Sequence, residues 1–495
     1  MSKKEACGVF GVYAPGIATS YVVYDGLFAL QHRGQESAGI AVSDGGQIMT
    51  LKDMGLVSNV FDDYKLASLQ GHLAIGHTRY STTGSSTWRN AQPVYCDTGA
   101  GGFALGHNGN LTNTAALAEE AGMLPGTVAS DTDLIAQLIA AHRKPRDEGS
   151  LELGTYDDVE QSLELALMQV LPRLEGAFSL VLCDVERLIG VRDPNGFRPL
   201  CLGRLDAGGW VLASETPALD VVGAHFVREI DPGEMVIIDA SGPRSLRPFS
   251  PTRIDPKLCV FEFVYFARPD SVLYGKEVYG ARGRMGELLA EQAPLPPDTE
   301  AVPRPAMVMG VPDSGVPAAE GYARRSGIAY GQGLVKNRYI GRTFIAPDQH
   351  KRDVGVRRKL NPLHAAIAGK RLVVVEDSIV RGTTLKQAVR LLREAGAAEV
   401  HLRVSSPPYQ WPCFYGMDTG TRSELLAANL SVGEIREFLG VDTLAYLSLE
   451  NMLRAIEAPG AGFCTACLTG DYPVDVPVSL HKGVLEAPVP LPAGG

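Results

Sequence analysis

The sequence predicts two domains, an α+β layered half followed by an α/β half built on a parallel sheet. Three observations point to it. The chain has 495 residues, more than a single hydrophobic core accommodates. Its first half offers many short strand-like segments and few helical ones, the balance of an α+β layered domain. Its second half contains Val373–Thr384, VVVEDSIVRGTT, in which a β-branched run ends in two acids and a short loop with one glycine. A helical run, LKQAVRLLREAG, follows and stops at Gly396. Strand, loop and helix in that order place chemistry at the carboxyl end of a strand, where open α/β sheets bind ligands. Backbone N–H groups and hydroxyls at a helix N-terminus suit a phosphate. Two acids beside it suit sugar hydroxyls and a magnesium ion.

Composition narrows the class. The formal charge is −10 and there is no long basic run, which argues against a nucleic-acid-binding surface. Phosphorylated small ligands stay possible, since local basic clusters serve them. No apolar run is long enough to span a bilayer, and MSKKEACGVFGVY has no signal-peptide core, so a cytoplasmic protein with no membrane partner is expected. In such a chain the eight cysteines are expected as metal ligands, nucleophiles or core residues, not disulfides.

In chain order, Cys7–Gly11 reads as a strand, and the segment SYVVYDGLFALQHRGQES as a helix that Arg33-Gly34 ends. Ile75–Thr82 leaves a strand for a hydroxyl-rich loop. Phe103–Asn110 reads as a strand entering an Asn-Gly turn. Ser130–Asp133 caps the helix LIAQLIAAH. Ala177–Leu182 and Trp210–Ala213 are further strands, and the Pro- and Ser-rich Ser241–Pro256 reads as a linker. Leu258–Phe266 then reads as a strand opening the second domain, and VYGARGRMGELLAEQ as a helix. Pro294–Pro305 is a Pro-rich connection, and the strand Met307–Val311 runs into the loop Pro312–Gly315. Lys336–Pro362, rich in Lys, Arg and Gly, reads as a flexible basic loop able to close over a polyphosphate. Pro473–Gly495 reads as a loosely held tail.

CGVFGVY, HRGQES, GHTRYST, GHNGNLTN and SDTD occur in this order, and the set resembles the class II glutamine amidotransferases. These are N-terminal-nucleophile hydrolases with stacked sheets between helical layers (αββα). The resemblance covers residues 7–240 and implies acyl transfer. The Cys7 thiol would attack the side-chain amide of glutamine and release ammonia, with the free α-amine of the same residue as base. That amine exists only if Met1–Ala6 is removed as a propeptide. By position, Asn108 and Gly109 would hold the oxyanion, Arg79 the glutamine α-carboxylate and Asp131 its α-ammonium. Read without the resemblance, these are a hairpin turn, a surface ion pair and an N-cap.

VVVEDSIVRGTT resembles the signature of type I phosphoribosyltransferases. Together with VPDSG, the basic loop and CVFEFVYFARPDS, it resembles the second half of the amidophosphoribosyltransferases, which implies that residues 257–472 form that domain. With the glutaminase half in front, the resemblance covers nearly the whole chain. It implies that glutamine, phosphoribosyl pyrophosphate and water give phosphoribosylamine, glutamate and pyrophosphate, the first committed step of purine synthesis. The phosphoribosyl substrate would meet Lys336, Arg338, Asp377, Ser378, Arg381, Gly382, Thr383 and Thr384. One Mg²⁺ per subunit would sit at Ser314, Glu376 and Asp377, mostly on substrate oxygens. Glu376 stands where the family often has Asp, and either acid can bind ribose hydroxyls. The resemblance further implies an apolar ammonia channel, allosteric inhibition by purine nucleotides of the AMP and GMP type, and a homotetramer or homodimer.

Cys259, Cys413, Cys464 and Cys467 make a full ligand set, with one close pair, Cys464-x-x-Cys467. Spacing alone leaves zinc, an iron–sulfur cluster and free thiols open. The four match the [4Fe–4S] ligands of the Bacillus-like branch of the family, one cluster per subunit, and other branches lack them. Cys96, Cys183 and Cys201 read as core residues. Two rival families fit one half of the chain each. Glucosamine-6-phosphate synthases share the first half but carry sugar isomerase domains in the second. Purine-responsive regulators share the second fold but need a basic DNA-binding module, and this acidic chain begins with a glutaminase set instead.

Overall fold

The computed structural model describes residues 7–80, 85–98, 101–124, 126–143, 162–337, 360–417, 419, 421–458, 462–477 and 485. Met1–Ala6, Arg338 and most of the basic loop lie outside the described residues.

The first half is two stacked antiparallel sheets. Its strands are β1 (Gly8–Tyr13), β2 (Ser37–Ser43), β3 (Ile48–Met54), β4 (Leu73–Arg79), β5 (Val94–Cys96), β6 (Phe103–Leu111), β7 (Gly176–Cys183), β8 (Leu188–Arg192), β9 (Cys201–Leu205), β10 (Trp210–Ala213), β11 (Ala224–Glu229), β12 (Met235–Asp239) and β13 (Gly242–Leu246). One sheet runs β11-β9-β10-β1-β4-β2-β3 and the other β13-β12-β8-β7-β6-β5. Val9, Ile75, Val181, Leu188 and Leu212 fill the space between the sheets. Phe10 and Val12, the alternate residues of β1, pack outward on the helix Thr19–Ala29 with Val23 and Leu27. Phe103 and Leu105 of β6 pack outward on the helix Asp131–Ala141 with Leu134, Ile135 and Leu138. Period-two alternation with both faces apolar thus yields helix, sheet, sheet, helix, the expected four layers.

Two readings of this half are corrected. Asn108-Gly109 is not a hairpin turn. The strand runs straight through it, with Asn108 opposite Ser179 and Gly109 opposite Phe178. Gly109 has φ +149, and a Cβ there would meet the Ala177 carbonyl oxygen at 2.1 Å, so the position demands glycine because β7 lies too close for a side chain. The linker is also shorter than Ser241–Pro256, because Gly242–Leu246 pairs with β12 and closes the edge of the second sheet.

The second half centres on a parallel sheet whose strands lie in the order Ala306–Gly310, Arg371–Glu376, Glu399–Val404 and Thr443–Tyr446. Val373 and Val375 face the helices Val278–Gln292 and Val316–Ser326, while Leu372 and Val374 face the helix Thr383–Glu394. Burial on both faces is why the strand is a continuous apolar run. The first two helices touch backbone to backbone: a Cβ at Gly286 would meet Ala318 O at 1.8 Å, and one at Gly321 would meet Gly283 O at 1.9 Å. That close approach seats the loop before Val316 over the sheet edge.

Leu258–Phe266 is not one strand. Only Leu258–Cys259 is extended, paired in parallel with Phe463–Cys464, and Glu262–Phe266 forms a π-helical turn. The apolar run looked like a strand because this segment is buried on all sides, where periodicity is uninformative. The start of the tail is held as well: Tyr415 Oη donates to Val474 O at 2.6 Å, and Leu485 is buried in the core of the first half. Among the described residues no helix is long and apolar enough to cross a membrane.

The halves meet over buried charge. Arg33 and Glu215 from the first half and Glu262 from the second are at most 1% exposed. Arg33 Nη1 and Nη2 donate to Glu262 at 3.0 and 2.8 Å, and Nη1 also donates to Glu215 at 2.5 Å. Arg198, fully buried, donates to Glu262 at 3.2 Å and to the Tyr415 carbonyl at 3.0 Å. Phe197 stacks on Tyr415 with centroids 4.5 Å apart.

Candidate active site

Cys7 immediately precedes β1, and the pairing of Gly8 with Thr78 sets it beside the end of β4. Its Sγ lies 3.3 Å from the Tyr80 carbonyl oxygen and accepts the Tyr80 N–H at 3.4 Å. Cys7, Arg79, Tyr80, Gln92, His107, Gly109, Ser130 and Asp131 line one small pocket. Four of the five residues expected at this site therefore meet there. The fifth, Asn108, is fully buried next to Gly109, and among the described residues neither its Oδ1 nor its Nδ2 has a hydrogen-bond partner. An amide buried in that way costs free energy unless something else satisfies it.

The electrostatics are those of a closed thiol pocket. Burial pushes the Cys7 thiol up to about 11, against the Tyr80 N–H and the nearby Arg79. Burial works to raise Asp131 too, but His107 and the N–H groups of Leu111 and Thr132 outweigh it and hold the carboxyl below its usual range. Ser130, not Asp131, caps the helix, accepting from Asp133 N at 3.2 Å, which leaves the Asp131 carboxylate at the pocket wall. Burial pushes His77 down to about 3, so its imidazole is neutral at pH 7 and its Nε2–H donates to the His107 carbonyl at 3.0 Å. Arg79 is buried and donates to Ser85 O at 3.1 Å. Sequence reasoning missed Gln92, whose Oε1 accepts the His107 N–H at 2.7 Å, and gave no role to His107 itself, although GHNGNLTN contains it.

In the second half, two strand-end loops converge. Ser314 Oγ, from the loop before Val316, donates to Asp377 Oδ2 at 2.5 Å, and Ser378 Oγ donates to the other carboxylate oxygen. Glu376 ends its strand, and Oε1 of its side chain accepts the Asp377 N–H at 3.2 Å. Gly382, at φ +68, turns the chain into the helix that starts at Thr383-Thr384. Lys336 pairs with Asp313 and Arg381 with Glu424. Ser314, Lys336, Glu376, Asp377, Ser378, Arg381, Gly382, Thr383 and Thr384 thus come from two neighbouring loops and the short strand that begins the basic loop, while Arg338 lies outside the described residues. Hydroxyls and two carboxylates form a hard, oxygen-only donor set, which suits Mg²⁺.

The four cysteines of the second half gather where the two halves meet. Cys259 and Cys464 occupy opposing positions in their parallel pair. All four are free thiols, buried or half-buried. Burial pushes Cys259 up to about 12, Arg198 opposes this, and Cys413 adds to it. Cys464 and Cys467 are also raised, by burial first and then by the field of the other cysteines. Among the described residues no three His, Cys, Asp or Glu side chains close on one point as a single metal ion requires. Cys96, Cys183 and Cys201 are buried, as expected of core residues.

Fold and site together define a glutamine amidotransferase joined to a phosphoribosyltransferase. Residues 77–221 match the glutamine amidotransferase domain family and residues 299–406 the phosphoribosyl transferase domain family. The chain is 52% identical over 500 residues to the amidophosphoribosyltransferase of Mycobacterium tuberculosis, an alignment covering 98% of this chain and 90% of the relative. It is 50% identical over 487 residues to that of Synechococcus elongatus, covering 97% and 94%. A solved structure described as the allosteric regulatory enzyme of purine biosynthesis superposes with a TM-score of 0.85 at 42% identity, covering 98% of this chain and 100% of that one. The glutamine phosphoribosylpyrophosphate amidotransferase of B. subtilis, complexed with ADP and GMP, superposes at 0.83 with 41% identity, covering 97% and 100%. The chain belongs to the amidophosphoribosyltransferase family.

The raised Cys7 thiol has a direct consequence. In full-length chain whose intact mass still includes Met1–Ala6, alkylation of Cys7 by iodoacetamide, followed peptide by peptide, should rise about tenfold per pH unit from pH 7 to about pH 10, because the thiolate is the nucleophile. A plateau near the ordinary thiol range would contradict this.

Proposed function

We propose that the two sites divide the family's reaction as follows. The Cys7 thiol attacks the side-chain carbonyl carbon of glutamine, and its proton passes to the α-amine that removal of Met1–Ala6 would create. Asn108 Nδ2 and the Gly109 N–H receive the oxyanion. Arg79 and Asp131 hold the α-carboxylate and α-ammonium of the substrate. The carbon–nitrogen bond breaks, ammonia leaves with the proton, and water releases glutamate from the thioester. The observation that supports this reading most is the buried Asn108 amide, which has no partner among the described residues beside the Cys7 pocket.

In the second half, Thr383, Thr384 and the backbone from Ser378 through Gly382 would cradle the 5-phosphate at the helix N-terminus. Asp377 and Glu376 would accept from ribose hydroxyls, and Lys336, with Arg338, would meet the pyrophosphate. Bound Mg²⁺, held near Ser314, Glu376 and Asp377, would offset the negative charge of the leaving pyrophosphate. Ammonia displaces that pyrophosphate at the anomeric carbon. It must arrive unprotonated, which calls for a water-free route between the halves.

For the four cysteines we propose a [4Fe–4S] cluster. The cysteines lie close enough to raise one another's thiols, they sit at the junction, and the cationic Arg198 lies beside Cys259 and Cys413; a group whose iron offsets the repulsion of four thiolates answers to that arrangement. Purine nucleotide inhibition, a homo-oligomer and a cytoplasmic setting complete the proposal. The nucleotide reading is supported by the B. subtilis relative having been solved with ADP and GMP.

Asn108→Ala should lower kcat for glutamine hydrolysis by about 10²–10³, as loss of one oxyanion donor does, while pyrophosphate release driven by ammonium chloride should persist; equal loss of both activities would sink the assignment. Active enzyme purified without oxygen should have an intact mass beginning at Cys7 and contain about four iron atoms per chain. Colourless, iron-free, active protein would reject the cluster.

A further inference from the structure

A side chain of the second half touches the nucleophile of the first through a single intermediary. Arg33 Nε donates to the backbone carbonyl of Cys7 at 3.0 Å. Three more donors of the same guanidinium go to Glu262, at 3.0 and 2.8 Å, and to Glu215, at 2.5 Å. Guanidinium is planar and its donors are fixed relative to one another. The orientation imposed at Nη1 and Nη2 is therefore the orientation delivered at Nε.

The two carboxylates differ in how firmly they are held. Glu215 also accepts from His32 Nε2 at 2.7 Å, Arg268 N at 2.9 Å and Ser271 Oγ at 2.5 Å. It is locked to its surroundings. Glu262 sits on the π-helical turn three residues after Cys259, and its other contact is Arg198, which also holds the carbonyl of Tyr415, two residues after Cys413. Glu262 is thus tied to the cysteine-bearing segments on one side and, through Arg33, to Cys7 on the other. A shift on the order of 1 Å at a reacting group is enough to cost catalysis heavily.

We propose that Glu262 is a positioning residue for the glutaminase nucleophile: acting through Arg33, it sets the backbone of Cys7. This rests on the reading of Cys7 as nucleophile.

The test uses the full chain with its cofactors. Glu262→Gln keeps the shape but turns one acceptor oxygen into a donor facing Arg33 or Arg198. Glutamine hydrolysis, with and without phosphoribosyl pyrophosphate, is compared with ammonia-dependent pyrophosphate release. The expected result is a fall in glutaminase kcat of about tenfold or more, with KM for glutamine and ammonia-dependent turnover each within about twofold of the parent. Arg198→Lys, which loosens Glu262 without removing its charge, should give the same split in milder form and serves if the first variant does not fold. Unchanged glutaminase kcat, or parallel loss of both activities in both variants, overturns the proposal. Cys7→Ala separates it from the underlying reading. Glutamine turnover surviving in Cys7→Ala would overturn the nucleophile assignment itself, whereas an inactive Cys7→Ala beside a fully active Glu262→Gln would overturn this inference alone.

Discussion

The structure depends on a desolvated ion network at the junction of its halves. Arg33, Arg198, Glu215 and Glu262 are all but inaccessible to water and are paired with one another, Glu215 with His32 as well. Charges in that position are tolerable when fully paired and hydrogen-bonded, and removing one partner costs about 3–5 kcal/mol. Burial works to lower the charge on Arg33, yet Glu262 and Glu215 raise its pKa well above the usual guanidinium range. On Glu215 burial is likewise outweighed, by His32 and Arg33, and the carboxyl lies well below its usual range. Glu262 of the second half has its two cationic partners, Arg33 and Arg198, in the first, so its charge is satisfied only across the junction. A network of this kind selects one docking geometry, because a displaced interface would strand a charge.

That pairing gives the two sites a defined relation. Ammonia is a nucleophile only while unprotonated, so the proposed transfer is served by a route away from bulk water. The pocket around Cys7 lies on one side of the junction, where Asn110 Nδ2 donates to Phe414 O and Cys259 N to Phe197 O. On the other, the parallel sheet delivers Glu376 and Asp377 at its carboxyl edge, where the Ser314 loop closes onto them.

Much of this was legible in the chain. VVVEDSIVRGTT gave strand, acids, loop and helix at their observed places, since a strand buried on both faces and an amphipathic helix leave strong local patterns. The glutaminase motifs led to residues that do share one pocket. Local rules failed at Asn108-Gly109, where Asn-Gly reads as a turn but neighbouring β7 holds the strand straight, and at Leu258–Phe266, where burial on every side erased the periodicity. The edge strand Gly242–Leu246 was hidden by its own Pro and Ser, which edge positions tolerate.

The sequence by itself determined the two-domain order, the identity of the nucleophile candidate and the strand-end acids, because those depend on residues adjacent in the chain. Only the tertiary structure decided which charges meet. Arg33 and Glu262 are 229 residues apart, and a lone acid inside the apolar run CVFEFVYF was the one local sign that Glu262 needed a partner. Pairing across such a separation is set by how two folded surfaces desolvate each other, and no local pattern encodes that.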